Sequence, residues 1–145
     1  MTLVDCFSPV FELVQNALGD EADAEALREE MGRRIEQGVV KASAEYTPGI
    51  MLSARRLVSI WVDNRLGGEE WTGRKRWLEN PLLHEKIGSG ETHLIELAER
   101  LDGASAEDAQ LAMLMLECLG RGFHLDAARR GAILEILTQR FGERP

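Results

Sequence analysis

Cysteine, basic residues, long apolar runs and alternating β patterns are all scarce in this chain, and each scarcity excludes a class of protein. Only two cysteines occur, Cys6 and Cys118, both among apolar neighbours. With no secretory leader pattern ahead of them, they predict free buried thiols in a reducing compartment rather than a disulfide framework. Lysine and arginine number 17 against 25 acids, a formal charge of -8, which excludes the basic stripe that a nucleic-acid footprint requires. The short basic groups Arg55-Arg56, Arg74-Lys75-Arg76 and Arg129-Arg130 are interspersed with acids and read as solvated helix faces. The longest apolar run, Leu111 to Leu116, is far short of the roughly twenty residues a bilayer span needs.

Catalytic patterns are equally scarce. His84, His93 and His124 show no metal-ligand spacing and have no cysteine beside them. Gly88-Ser89-Gly90 opens a helix but lacks the preceding strand and the Lys-Ser/Thr of a phosphate loop. Cys118 and His124 have no third group to orient them as nucleophile and base. The expectation is no catalytic residue, no metal and no cofactor.

What is present is helical periodicity. Ser8-Pro9 with Val10, Phe11, Leu13, Val14 and Leu18 predicts a first helix that carries proline in its opening turn and stops at Gly19, with room for a turn from Leu3 ahead of it. From Ala22 to Ala44, Leu27, Met31, Ile35 and Val39 recur every four residues, a long surface helix with room for a bend at Gly32 or Gly38. Thr47-Pro48 opens a third helix that ends near Gly67-Gly68, and a short one bearing Trp77 breaks at Asn80-Pro81. A turn is expected over Leu82 to Ile87, then helices over Glu91 to Leu101, Ala106 to Arg121 and from Asp126 to Phe141, with capping residues at Ser105 and Asp126. Trp61, Trp71 and Trp77 carry so much apolar surface that together they predict a helical corner, with Trp61 and Trp77 largely buried. The fold class is all-α, one domain over 1–145.

Several short stretches carry a family resemblance. Leu3-Val4-Asp5-Cys6-Phe7-Ser8-Pro9 resembles the amino-terminal Leu-Val-Asp-Ala-Phe-Ser-Pro pattern of the DotU/TssL (IcmH-like) family, the inner-membrane subunit of type VI secretion systems. Ala54-Arg55 and Asp63-Asn64 are similar to its Ala-Arg-Tyr and Asp-Glu helix. Trp71, Gly73 and Trp77, then Leu82-Leu83, Gly90-Glu91, Leu97 and Leu101, and Cys118-Leu119 with Gly122-Phe123, continue the match in order.

The resemblance implies two small helical bundles forming a hook with a cleft. It further implies a non-enzymatic scaffold on the cytoplasmic face of the inner membrane, docking an IcmF/TssM-like membrane subunit and a TssK-like baseplate subunit. The cleft residues it points to are Asp63, Asn64, Glu117, Gly122, Phe123 and His124. Nucleic-acid binding and direct membrane insertion of these residues are not expected, and the acidic surface predicts a monomer or weak homodimer. Other readings are a stand-alone helical regulatory or adaptor module that shares the fold and, further off, a small-molecule-binding protein or enzyme.

Departures from the family pattern fall at the cleft. Its Asp-Glu pair is Asp63-Asn64, its Gly-Phe-Glu-Gly-x-Tyr element is Gly122-Phe123-His124-Leu125-Asp126-Ala127, and paired aromatics after Gly-Glu give way to His93-Leu94. Family members usually continue into a carboxy-terminal transmembrane helix, which the residues up to Pro145 do not contain. That leaves two readings, a domain cut from an anchored protein or a short variant that works without an anchor.

Overall fold

The structure is a computed structural model that describes residues 1–19, 23–83 and 89–142. Seven helices, α1 (Leu3–Gly19), α2 (Ala24–Ala42), α3 (Pro48–Gly68), α4 (Arg74–Glu79), α5 (Ser89–Arg100), α6 (Ala106–Gly120) and α7 (Ala127–Phe141), account for the regular structure, with no strand among the described residues. The expected all-α fold is what is found. The Ala22 start expected for the second helix, most of the turn over Leu82 to Ile87, and His84 lie outside the described residues.

α1 corrects one expectation. Its start is not Ser8-Pro9 but a reciprocal capping box: Asp5 N donates to Thr2 Oγ1 at 3.1 Å and Thr2 N donates to Asp5 Oδ2 at 3.2 Å. Pro9 therefore sits inside the helix, where it has no N–H for the carbonyl four residues back. Ser8 Oγ donates to that Asp5 carbonyl at 3.2 Å instead.

Three further starts are set by short polar side chains, two of them, at Ser105 and Asp126, as the sequence predicts. Asp23 accepts from Glu25 N, Ser105 from Asp108 N, and Asp126 from Arg129 N. Thr47 is different, because its backbone N and its Oγ1 both donate to Glu107 of α6, each at 2.9 Å. The start of α3 is thus capped from across the fold.

α1, α2 and α4 pack around one side of α3, and α5 pairs with α7 on the other, while α3 and α6 touch both groups. Buried side chains run through all of it as one cluster, including Phe7, Phe11, Trp61, Trp77, Leu114 and Phe123. Trp61 and Trp77 are only 2% and 1% exposed, and burial of each ring contributes about 4–6 kcal/mol of gross hydrophobic stabilisation. Trp71 is half-buried; its Nε1 donates to Leu66 O at 2.7 Å and its ring lies 6.4 Å from that of Trp77, so the two indoles build the expected corner between α3 and α4.

Gly38 does not break α2, which runs as one helix from Ala24 to Ala42. A Cβ there would lie 2.6 Å from the Phe7 ring and 2.8 Å from the Cys6 carbonyl, so glycine lets α1 and α2 cross in close contact. The buried stripe of α7 is narrow. Ile133 and Leu137 are buried, Ile136 and Phe141 are half-buried, and Ala132 faces solvent.

Candidate functional site

The carboxy-terminal half of α3 sends consecutive side chains to different neighbours, as a helix advancing by 100° per residue must. Asp63 faces the loop after α4: Trp77 Nε1 donates to its Oδ1 at 3.0 Å, Leu82 N to Oδ1 at 2.9 Å and Leu83 N to Oδ2 at 3.1 Å. Asn64 faces the turn after α6. Its Nδ2 donates to His124 O at 3.1 Å while His124 N donates to its Oδ1 at 2.6 Å. Trp61 and Arg65, four residues apart and hence on one face, turn towards α1.

These two α3 side chains line a groove of about 310 Å³ together with Phe11, Val14 and Gln15 of α1 and Arg121 and Gly122 beyond α6. Phe11 and Trp61 meet edge to face at 4.8 Å between ring centroids, and the Arg121 guanidinium lies 4.9 Å above the Phe11 ring. Gly122 has φ +84, and a Cβ there would approach Arg65 Nη1 to 2.7 Å. Position 122 thus needs glycine twice over, for its backbone angle and to leave room for the guanidinium. A second hollow of about 390 Å³ lies where α3 begins. Its acids are already used, Glu107 by Thr47 and Asp108 by the backbone N of Asp102.

The six residues that the sequence points to are brought to this end of α3 but not to one surface. Gly122 lines the groove, and Asn64 pairs beside it with His124 of the same turn. Glu117 is one helical turn back from Arg121 and accepts from its Nε at 2.7 Å. Phe123, 2% exposed, gives its side chain to the core and only its backbone to the turn, where its carbonyl accepts from Arg130 Nη2 at 2.8 Å. Asp63 works from behind, anchoring the 82–83 segment. Arg65, Arg121 and Phe11, which form the groove itself, are not singled out by the sequence. The legible signals were the Trp61/Arg65 spacing and an arginine directly before Gly122.

Nothing in this arrangement assembles an acid, a base and a nucleophile. Asp63 is held by N–H donors, His124 Nε2 lies 3.1 Å from Glu69, and Glu117 pairs with Arg121, so the three do not converge. Cys118 is fully buried; desolvation first, then the neighbouring Glu117 carboxylate, pushes its thiol far above the usual range. Cys6 is raised too, by burial and then by Glu45. Both are core thiols. Among the described residues no His, Cys, Asp and Glu side chains gather in a group that could hold a metal ion.

Residues 2–143 match the family model described as "Type VI secretion system protein DotU". The chain belongs to the DotU family. No curated protein and no solved structure matches it. The match spans every helix described here, so the groove, the Asn64–His124 pairing and the Asp63 anchor all lie within the family's own domain. Asn64, where the DotU pattern resembled by the sequence has glutamate, takes both a donor and an acceptor role here, which no carboxylate can do. Among the described residues no helix of this DotU-family chain is long and apolar enough to cross a membrane.

Proposed function

We propose that this DotU-family chain is a non-enzymatic scaffold of a type VI secretion membrane complex, docking an IcmF/TssM-like subunit and a TssK-like baseplate subunit at the cytoplasmic face of the inner membrane. The docking face is the groove end of α3, with Asn64, Glu117, Gly122 and His124 at the surface and Asp63 and Phe123 shaping it from inside. The observation that carries this reading is the contrast between the groove and its frame. Its rim is fixed by paired backbone and side-chain bonds, its floor is aromatic, and its titratable neighbours are occupied in ion pairs rather than poised for chemistry.

Co-purification with both partners tests it, using Gln15→Trp to fill the groove and Glu117→Lys to reverse a rim charge. Both positions are at least partly exposed, so the helical signal should be unchanged. Capture of one partner should fall by about ten-fold, the scale of a lost hot spot of roughly 1.4 kcal/mol. Full retention of both partners by both folded variants would remove the groove from the docking surface.

A further inference from the structure

We infer that the groove between α1, α3 and the turn after α6 binds a carboxylate carried on an apolar stem, contributed by the docking partner. This rests on the docking reading above and specifies its chemistry. The groove is rich in donors. Arg65 Nε and Trp61 Nε1 have neither solvent contact nor a hydrogen-bond partner, although Trp61 is 2% exposed and both side chains line the groove. They lie one turn apart on the same face of α3. Native proteins pair nearly all their buried donors, because each unpaired one is costly. Two on one wall of one groove mark a place where an acceptor is missing.

The opposite wall supplies a further donor. Arg121 stacks on Phe11 at 4.9 Å, which holds a guanidinium plane at the groove edge. Glu69 and Glu117 each hold one of these arginines from a position four residues away on the same stretch of chain, through one guanidinium nitrogen apiece: Nη1 of Arg65 and Nε of Arg121. Such single-nitrogen pairing orients a guanidinium without closing its fork, which can still take a second carboxylate.

Charge chooses among anions. The two arginines are balanced locally by Glu69 and Glu117, with His124 against Glu69, and the whole chain carries -8. A phosphate dianion meets too little positive charge here, and a cation meets two guanidinium groups. A single carboxylate on an apolar stem lays its stem against the Phe11–Trp61 pair and satisfies the donors once the Arg65 side chain, 18% exposed, turns to uncover them. A partner's Asp or Glu side chain and a chain-terminal carboxylate both have this chemistry.

The Trp61 indole N–H is a built-in reporter, assigned among the three indole resonances by Trp61→Phe. Titration with 3-phenylpropionate at constant ionic strength should move the Trp61 and Arg65 Nε–H signals saturably. Its neutral amide, and the acid on the exposed-site variant Arg121→Gln, should bind about ten-fold more weakly. A peptide with one internal Glu and an amidated end, set against an acid-free peptide ending in free Phe, then tells side chain from terminus by which one competes. Equal responses to acid and amide, no response to the acid, or an undiminished response in folded Arg121→Gln would each overturn the inference. Carboxylate binding with unimpaired partner capture by Gln15→Trp would keep the site and remove the docking role; lost capture without carboxylate binding would do the reverse.

Discussion

Asn64 and His124 lie sixty residues apart in the chain and bind each other as two peptide units would, amide to backbone N–H at 2.6 Å and backbone carbonyl to amide at 3.1 Å. The turn after α6 is thereby clipped to the last turns of α3. Next to it, Gly122 O accepts from Arg65 Nη1 at 3.4 Å, so two successive residues of α3 hold the same turn that forms the groove rim.

The clip predicts a sharp difference between isosteres. Asn64→Asp keeps the shape but loses the donor and sets a carboxylate against the His124 carbonyl, so stability should fall by about 1–2 kcal/mol. Denaturant unfolding at neutral pH measures it. Recovery at acid pH, where the carboxyl regains a proton to donate, distinguishes the lost donor from a packing defect.

Asp63→Ala should be more damaging than its half-exposed position suggests. It removes the acceptor for Trp77 Nε1 and for two backbone N–H groups, leaving a buried indole donor unpaired, at a cost of about 2–3 kcal/mol. A lowered unfolding midpoint together with a changed Trp fluorescence maximum is the expected outcome. Binding losses in this variant are therefore structural in origin until stability is matched.

Two glycines of α2 should respond with opposite sign. Gly38→Ala drives a Cβ into the Phe7 ring and the Cys6 carbonyl and should destabilise by about 1–3 kcal/mol. Gly32 has open space around it, and Gly32→Ala should stabilise by about 0.5–1 kcal/mol through helix propensity. Thermal melts of the two variants side by side check the pair.

Both thiols should be silent to Ellman's reagent in the folded protein and titrate fully in denaturant, since burial raises each of them. The same shifts set a pH dependence. A thiol pKa raised by folding means that the unfolded chain releases its proton first as pH rises, so stability is complete below the ordinary thiol range and declines above it. Unfolding free energy that rises between mildly and strongly alkaline pH would contradict this.

Much of the fold was legible because helix signals are local. The apolar stripe of α2, the Pro48 start and double-glycine end of α3, and the caps at Ser105 and Asp126 each depend on residues within a few positions of one another. The α1 start was misread for an instructive reason. Proline is a strong local signal for a first turn, but the Thr2–Asp5 capping box and the Ser8 hydroxyl allow the helix to begin earlier and pass through it. At the candidate site the sequence pointed to Asp63-Asn64 and Gly122, which the structure places at one end of α3 beside a groove, without ordering the residues within it.

That ordering belongs to the tertiary structure. Residue type and spacing determined that the chain is helical, that its charge opposes nucleic acid and that its motifs follow the DotU pattern. Whether an acid such as Asp63 faces a loop or a ligand, whether Phe123 is rim or core, and that Phe11, Trp61, Arg65 and Arg121 meet around one groove depend on how α1, α3 and α6 cross. Those crossings are set by the sum of side-chain shapes over the whole core, down to the missing Cβ at Gly38, and no local window of sequence contains that sum.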